Sequence, residues 1–322
     1  MTRQPHAARP TDPAGDAPFE TILYPRQVTD RVHAHAPSGA CLRDLGLDRI
    51  LDGAASSPET RKLFSTPLRD ADAIRFRQEV MRDLESSTLQ EAVTSFRVDM
   101  HAARVRLEGD GDAGFPYARE RAVLDAAVRY VRAVSRLAAA LESASLASRG
   151  LARLSDYLGR TVASDAFRGL ADDSGHIAAG LDALRYTLLI EGRSVTVAPY
   201  READDLREEV GRLFGRFVQR PAPEVDVRPY LPAERSGVQA QVLRRLAALN
   251  PQPFEALTRF ATRHADFVDP VLERVARELA FYLDYQRYIA PLREAGLPFC
   301  YPSMAGREVH CQGRDVFDLA LA

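Results

Sequence analysis

The sequence is poor in residues on which several classes of protein depend: among 322 residues it has no tryptophan, three cysteines and one lysine in 43 basic residues. Cys41, Cys300 and Cys311 are too few and too scattered for a disulfide framework, so we expect a reducing, cytoplasmic compartment. No run approaches the roughly 18 apolar residues of a membrane span, and no apolar segment follows the N-terminus. The sequence therefore predicts neither membrane insertion nor secretion.

The numbers of basic and acidic residues are also nearly equal, 43 and 45. The formal net charge is −2 and the isoelectric point is near 6.4. These values exclude a globally basic nucleic-acid binder, so any contact with nucleic acid would have to come from a local basic patch.

Catalytic signatures are missing as well. A phosphate-binding P-loop needs a Gly-Lys-Ser/Thr sequence, and Lys62 lies instead between Arg61 and Leu63. The chain contains no HExxH, ExxH, CxxC or GxSxG pattern, which removes the usual zinc, di-iron, redox and hydrolase sites. We therefore predict no catalytic residues, no enzyme activity, and no cofactor or metal bound by this chain.

The nearest approach to a metal site is the group of Cys300, His310 and Cys311. Thiolate and imidazole ligands suit zinc, but the spacing matches no standard finger and only three ligands are present. A packed cysteine and two incidental residues are the favoured interpretation.

What the sequence does contain is a long amphipathic pattern, which predicts a helix over residues 271–295. Asp269 before Pro270 is typical of an N-cap followed by proline at the first helical position, and Gly296 with Pro298 is typical of a helix end. Such a helix would be about 37 Å long at 1.5 Å per residue. The apolar stripe comprises Val268, Leu272, Val275, Ala276, Leu279, Tyr282, Leu283, Gln286, Ile289 and Ala290.

The rest of the chain predicts a mainly α-helical fold: an elongated bundle with long helices and one β-hairpin. We expect a disordered tail over residues 1–18 and one domain over residues 19–322, with the hairpin as an insertion near residues 184–203. The two apolar, β-branched runs of the hairpin flank Glu191-Gly192-Arg193-Ser194. Further helices are predicted from Asp70 or Asp72 to Leu84, and over 89–107, 119–141, 151–158, 165–170, 177–184, 204–218 and 238–249.

Several segments, in order, resemble the core and lever region of the MutS family of DNA mismatch repair ATPases. These segments are DLGLDRIL, LFSTPLRDADAIRFRQEVMRDLE, LDALRYTLLIEGRSVTVAPY, GVQAQVLRRLAALNPQPFEALTRFATRHADFVDP, RELAFYLDYQRYIAPLREAGLPFCYPSM and DVFDLALA. The similarity covers roughly residues 20–322. The family's ATPase motifs are missing, and its mismatch-wedging Phe-x-Glu motif has no counterpart, since Phe19 and Glu20 are adjacent.

The resemblance implies a non-catalytic core, lever and clamp module that couples DNA binding to an ATPase domain missing from this chain, with ATP and Mg²⁺ bound in that domain. It implies double-stranded DNA, bound weakly and without sequence specificity, as a partner, and leaves a homodimer open. Arg185, Arg193 and Arg201 cluster at the hairpin, in the region related to the clamp, and are the expected nucleic-acid contacts. The alternative hypothesis is a free-standing helical scaffold that binds another protein, which the near-neutral charge favours.

Overall fold

The computed structural model describes residues 19–25, 37–109, 115–191, 194–200, 236–304, 312–314 and 316–320. Within these residues the fold is mainly helical, with eleven helices and one antiparallel hairpin, as the sequence predicts. The elements are α1 Gly39–Asp44, α2 Leu47–Ala54, α3 Pro58–Ser65, α4 Ala71–Asp83, α5 Ser87–Glu108, α6 Ala118–Ser143, α7 Arg149–Ala163, α8 Asp165–Asp182, β1 Tyr186–Glu191, β2 Ser194–Pro199, α9 Ser236–Leu249, α10 Pro251–Arg263 and α11 Pro270–Glu294.

The chain divides into two compact units, a finer division than the single domain expected for residues 19–322. Unit 1 comprises Met1–Val105, Ala126–Ala171 and Asp266–Ala322, and unit 2 comprises Arg106–Asp125 and Asp172–Ala265. Three of the four divisions fall within α5, α6 and α8, and the fourth falls between α10 and α11.

Helix α11 begins and ends where its sequence predicts. The Asp269 carboxylate accepts a hydrogen bond of 2.8 Å from the Val271 amide, which satisfies one of the free amides of the first turn. At the other end Gly296 has φ +87°, and the Leu297 amide donates to the Leu292 carbonyl at 3.0 Å. This is the Schellman cap, which needs the left-handed conformation that glycine adopts without strain.

The apolar stripe of α11 packs in the core of unit 1, and its buried positions differ in part from the prediction. The buried residues of the helix are Leu272, Val275, Leu279, Ala280, Tyr282, Leu283, Asp284, Gln286 and Ile289. Ala276 is only partly buried and Ala290 is exposed, whereas Asp284, which no apolar pattern selects, is completely buried. The stripe is therefore shifted towards a face that carries a buried carboxylate.

The short segment at residues 19–25 packs against α11. Ile22 is fully buried; its amide donates to the Glu278 carboxylate at 2.9 Å, and its carbonyl accepts from the Tyr282 hydroxyl at 2.7 Å. The Thr21 hydroxyl also donates to Glu278, at 2.8 Å. This segment therefore satisfies two polar groups that α11 carries into the interior of unit 1.

Helices α4 and α7 pack closely at Gly150. A Cβ atom at this position would lie 2.5 Å from Val80 Cγ2 and 3.1 Å from the Phe76 ring. Gly159, on the same helix, has nothing within 4 Å of such an atom. The glycine at position 150 therefore allows an approach of the two helices that any side chain would prevent.

The hairpin of unit 2 forms where the sequence predicts it, and the structure gives its register, with Glu191 paired to Ser194. Strand β2 packs against α9, and Val197 is buried. A second small core joins α9 to α10 through Leu246, Ala247 and Phe254.

Two further elements differ from the sequence prediction. The patterns at 165–170 and 177–184 belong to one continuous helix, α8, and the approach to α11 contains an additional helix, α10. Gly169, Gly175 and Gly180 lie within α8, so burial of Phe167 and Leu170 outweighs the helix cost of glycine. The predicted tail at 1–18 and the predicted helix at 204–218 lie outside the described residues.

Candidate functional site

Of the three arginines expected to contact nucleic acid, the structure describes one. Arg185 is exposed, immediately before β1, and forms no ion pair with any described residue. Arg193 and Arg201 lie outside the described residues. The candidate site therefore consists, in the described part of the chain, of Arg185 and the hairpin that follows it.

The strand pairing places the apolar side chains of the hairpin on one face. Alternation along β1 and β2 puts Tyr186, Leu188, Val195 and Val197 on the same side of the two-stranded sheet. Val197 is buried, whereas Tyr186, Leu188 and Val195 keep between 37% and 42% of their surface exposed. This face is less polar than a surface built only for phosphate contacts.

Three further arginines of unit 2 are exposed and unpaired among the described residues. Arg244 and Arg245 lie on α9, which packs against β2, and Arg259 lies on α10. None of these three arginines was predicted from the sequence as a nucleic-acid contact. The adjacent pair Arg244-Arg245 could have indicated a contact with nucleic acid, because a nearly neutral chain needs a local basic patch to bind DNA.

The N-terminus of α11 is held by a tyrosine–carboxylate group in unit 1. The Tyr157 hydroxyl donates to the Asp269 carboxylate at 2.6 Å, and the Asp269 amide donates to the Tyr130 hydroxyl at 3.3 Å. Burial raises the pKa of Tyr130 to about 12, and burial followed by the bond to Asp269 raises the pKa of Tyr157. Both phenols are therefore neutral at physiological pH, and they act as fixed hydrogen-bonding groups.

A second polar anchor lies further along α11. Asp284 Oδ2 accepts from the Ser56 amide at 2.9 Å and from the Ser56 hydroxyl at 2.6 Å, which joins the α2–α3 connection to α11. Asp284 Oδ1 lies 3.1 Å from Arg287 Nη2. Burial lowers the pKa of Arg97, and the charge of Asp284 opposes that shift. These contacts hold the helix in place, and none of them arranges groups for a reaction.

The described residues supply no metal centre. They contain no group of three or more His, Cys, Asp or Glu side chains that could hold a metal ion. Cys300 is exposed, and His310 and Cys311 lie outside the described residues. In the same part of the chain, no helix combines the length and the apolar character needed to cross a membrane.

Comparison with known proteins adds no relative: no family model, no curated protein and no solved structure matches the chain.

Proposed function

We propose that the chain is the non-catalytic core, lever and clamp module of a MutS-like DNA mismatch repair protein, acting in the cytoplasm. In this function α11 is the lever, the hairpin and its flanks contact double-stranded DNA, and an ATPase domain supplies the driving motion. The observation that carries the proposal is the ordered series of MutS-like segments along residues 20–322.

The length of α11 and the contacts at its two ends support this function. A lever must be long and must not fray at the ends through which it receives and delivers a displacement. Helix α11 has 25 residues, about 37 Å at 1.5 Å per residue. Its first turn is tied down by Asp269, its last turn by the Schellman cap at Gly296, and its middle by Asp284.

The charge distribution of unit 2 supports weak contact with the DNA backbone. Arg185, Arg244, Arg245 and Arg259 are exposed and form no ion pair with a described acidic residue. Exposed arginines of this kind are available to phosphate oxygens, and such contacts carry no sequence information. We therefore expect binding that is weak, non-specific and strongly dependent on salt.

The test is a fluorescence anisotropy titration of a labelled 30-base-pair duplex with the full chain, at several salt concentrations. Each arginine–phosphate contact adds about 0.9 to the steepness of log Kd against log salt concentration. Changing Arg185, Arg193 and Arg201 together to glutamate should therefore reduce that slope by about 2.7. Arg136→Glu is the matched control, because Arg136 is exposed on α6 and unpaired among the described residues.

Unchanged duplex binding in the triple variant would show that the hairpin is not the contact. If Arg136→Glu, which changes the net charge by −2, causes about one third of the loss seen in the triple variant, which changes it by −6, only net charge matters.

The chain by itself should not hydrolyse ATP, because it contains no P-loop to hold the β- and γ-phosphates. A phosphate-release assay on the purified full chain checks this, and turnover that survives further purification and follows the protein peak would contradict it.

One observation favours the second candidate function, a helical scaffold that binds another protein. Tyr186, Leu188 and Val195 form a partly exposed apolar face on the hairpin, and Tyr200, just after it, is 55% exposed. Aromatic and aliphatic side chains grouped in this way are typical of protein interfaces. The scaffold would be favoured over the DNA module by two results together: no duplex binding at 50 mM salt, and binding of another protein that Leu188→Asp abolishes.

A further inference from the structure

The segment at residues 19–25 lies in a groove of unit 1 that α4, α7 and α11 form. The segment belongs to no helix or strand, so its backbone lacks the regular hydrogen bonds of such an element and needs other partners. Side chains of the three helices supply them. The hydrogen bonds run from Arg274 Nη1 to the Glu20 carbonyl (3.3 Å), from the Ile22 amide to Glu278 Oε2 (2.9 Å), from the Tyr282 hydroxyl to the Ile22 carbonyl (2.7 Å), from Arg77 Nε to the Leu23 carbonyl (3.2 Å) and from Arg153 Nη1 to the Pro25 carbonyl (2.7 Å).

The apolar side chains of the segment are buried in the same groove. The Phe19 ring lies 5.4 Å from the ring of Tyr157 on α7, and the Tyr24 ring lies 4.8 Å from the Arg77 guanidinium. Main-chain hydrogen bonds that fix a backbone, together with pockets that select its side chains, are the means by which protein domains recognise short peptides. The groove has both. The buried side chains of the segment are Phe19, Ile22, Leu23 and Tyr24.

All of these contacts come from a few consecutive residues, so none of them requires the segment to belong to the same chain as the groove. Residues 26–36 connect Pro25 to the next described part of the chain, and a connection of this length spans up to about 40 Å when fully extended. Exchange of an identical segment between two copies retains every contact within the groove and is a low-cost route to a dimer.

We propose that this groove is a peptide-binding site, which takes the segment 19–25 of a second copy of the chain as well as the chain's own. The ligand is a short apolar peptide that presents Phe, Ile, Leu and Tyr at the spacing of Phe19, Ile22, Leu23 and Tyr24. An attached segment competes at an effective concentration of about 1 mM, so the chain's own segment fills the groove in dilute solution. Exchange between copies becomes appreciable as the protein concentration approaches that value. This inference is independent of DNA binding.

The first experiment supplies the segment from another molecule. In the full chain with Ile22→Asp, a charge replaces a fully buried side chain, so the chain's own segment leaves the groove while the residues of the three helices are unaltered. A fluorescein-labelled peptide with the sequence of residues 19–25 is titrated with this variant and with the wild type, and binding is followed by fluorescence anisotropy. The variant should bind the peptide more than about tenfold more tightly, because no attached segment competes. Equal affinities of the two chains, or no binding to a folded variant, would overturn the proposal.

A control peptide with Asp in place of Ile22 should bind neither chain, and equal binding of the two peptides would also contradict the proposal. The fold of the Ile22→Asp chain is checked by circular dichroism. If the variant is unfolded, the unaltered peptide should restore the helical signal, because a ligand that binds only the folded chain shifts the folding equilibrium. Failure to restore the signal at about 1 mM peptide would refute the site.

The second experiment changes the groove. Tyr282→Phe, added to the Ile22→Asp chain, removes the hydroxyl that donates to the carbonyl of the isoleucine and should weaken binding of the peptide about two- to tenfold. Tyr288→Phe is the matched control, because Tyr288 lies on the same helix but packs against Gly53 of α2. It should leave the affinity unchanged. Equal affinities of the two double variants would place the peptide outside the groove.

The third experiment tests the second copy as the source of the segment. The mean mass of the wild-type chain, measured by static light scattering, should rise from the monomer towards the dimer as the protein concentration approaches about 1 mM. The Ile22→Asp chain, which cannot supply the segment, should remain monomeric over the same range. A wild type that is still monomeric at about 1 mM, or an equal rise in both proteins, would exclude exchange between copies.

Discussion

Replacing Asp284 by alanine should destabilise unit 1 more than replacing an exposed charged residue of α11 would. The side chain is completely buried, and its carboxylate accepts both the amide and the hydroxyl hydrogen bonds of Ser56, 228 residues earlier in the sequence. Alanine removes Oδ2, the single oxygen that accepts both bonds, and leaves a void in the place of the carboxylate.

The expected cost follows from these contacts. A hydrogen bond to a charged group contributes about 1.5–3 kcal/mol, and Ser56 is exposed enough for water to replace part of the lost acceptor. We therefore expect a loss of about 2–4 kcal/mol for Asp284→Ala, and about half of that for Asp284→Asn, which keeps one oxygen. Ser56→Ala, which removes only the hydroxyl bond, should cost about 1 kcal/mol.

Arg287→Ala is the matched control. Its guanidinium lies 3.1 Å from Asp284 but its side chain is 61% exposed, so solvent screening should limit the cost to about 0.5 kcal/mol. The free energy of unfolding is measured by urea titration with circular dichroism at 222 nm. A loss below about 1 kcal/mol for Asp284→Ala, or one equal to that of Arg287→Ala, would refute the reasoning, because it would mean that the buried hydrogen bonds contribute no more than an exposed ion pair.

Three further predictions concern packing, capping and pH. Gly150→Ala should destabilise the chain by about 1–3 kcal/mol, because its Cβ would overlap α4. Gly159→Ala in the same helix should stabilise the chain by about 0.5–1 kcal/mol, because nothing lies within 4 Å of its Cβ. The free energies of unfolding are measured by urea titration, and changes of the same sign in the two variants would contradict the prediction. Tyr157→Phe should lower the free energy of unfolding by about 1–2 kcal/mol, because it removes the hydrogen bond to Asp269. Asp269→Ala should lower it by about 1 kcal/mol more, because this change also removes the N-cap of α11. Equal losses in the two variants, measured by thermal denaturation, would argue against the contribution of the cap. Burial raises the pKa of Glu278 above its ordinary value of 4.5, so the folded chain binds the proton more tightly than the unfolded chain. Relative to a Glu278→Gln variant, the wild type should lose stability as the pH rises from 4.5 through the raised pKa; a constant difference between the two proteins from pH 4 to pH 8 would exclude the shift.

Features that depend on neighbouring residues could be predicted from the local pattern of the chain. Asp70 and Asp269 cap helices where their position before an apolar pattern predicts, and Gly296 ends α11 because only a local left-handed residue is required there. The hairpin register follows from two β-branched runs and a two-residue connection. Each of these depends on hydrogen bonds within a few residues, which a local pattern can encode.

The identity of the buried polar groups depends on contacts between segments that are distant in the sequence. Asp284 and Arg77 are charged residues on amphipathic helices, and a periodic pattern assigns such residues to solvent. Their burial depends on Ser56 in one case, and on Leu23, Tyr24 and Phe281 in the other, from segments far away in the chain. The continuity of α8 through three glycines has the same origin, because burial of Phe167 and Leu170 outweighs a local propensity that favours two short helices. Long-range burial of this kind leaves no periodic signal in the sequence, so an amphipathic pattern cannot predict it.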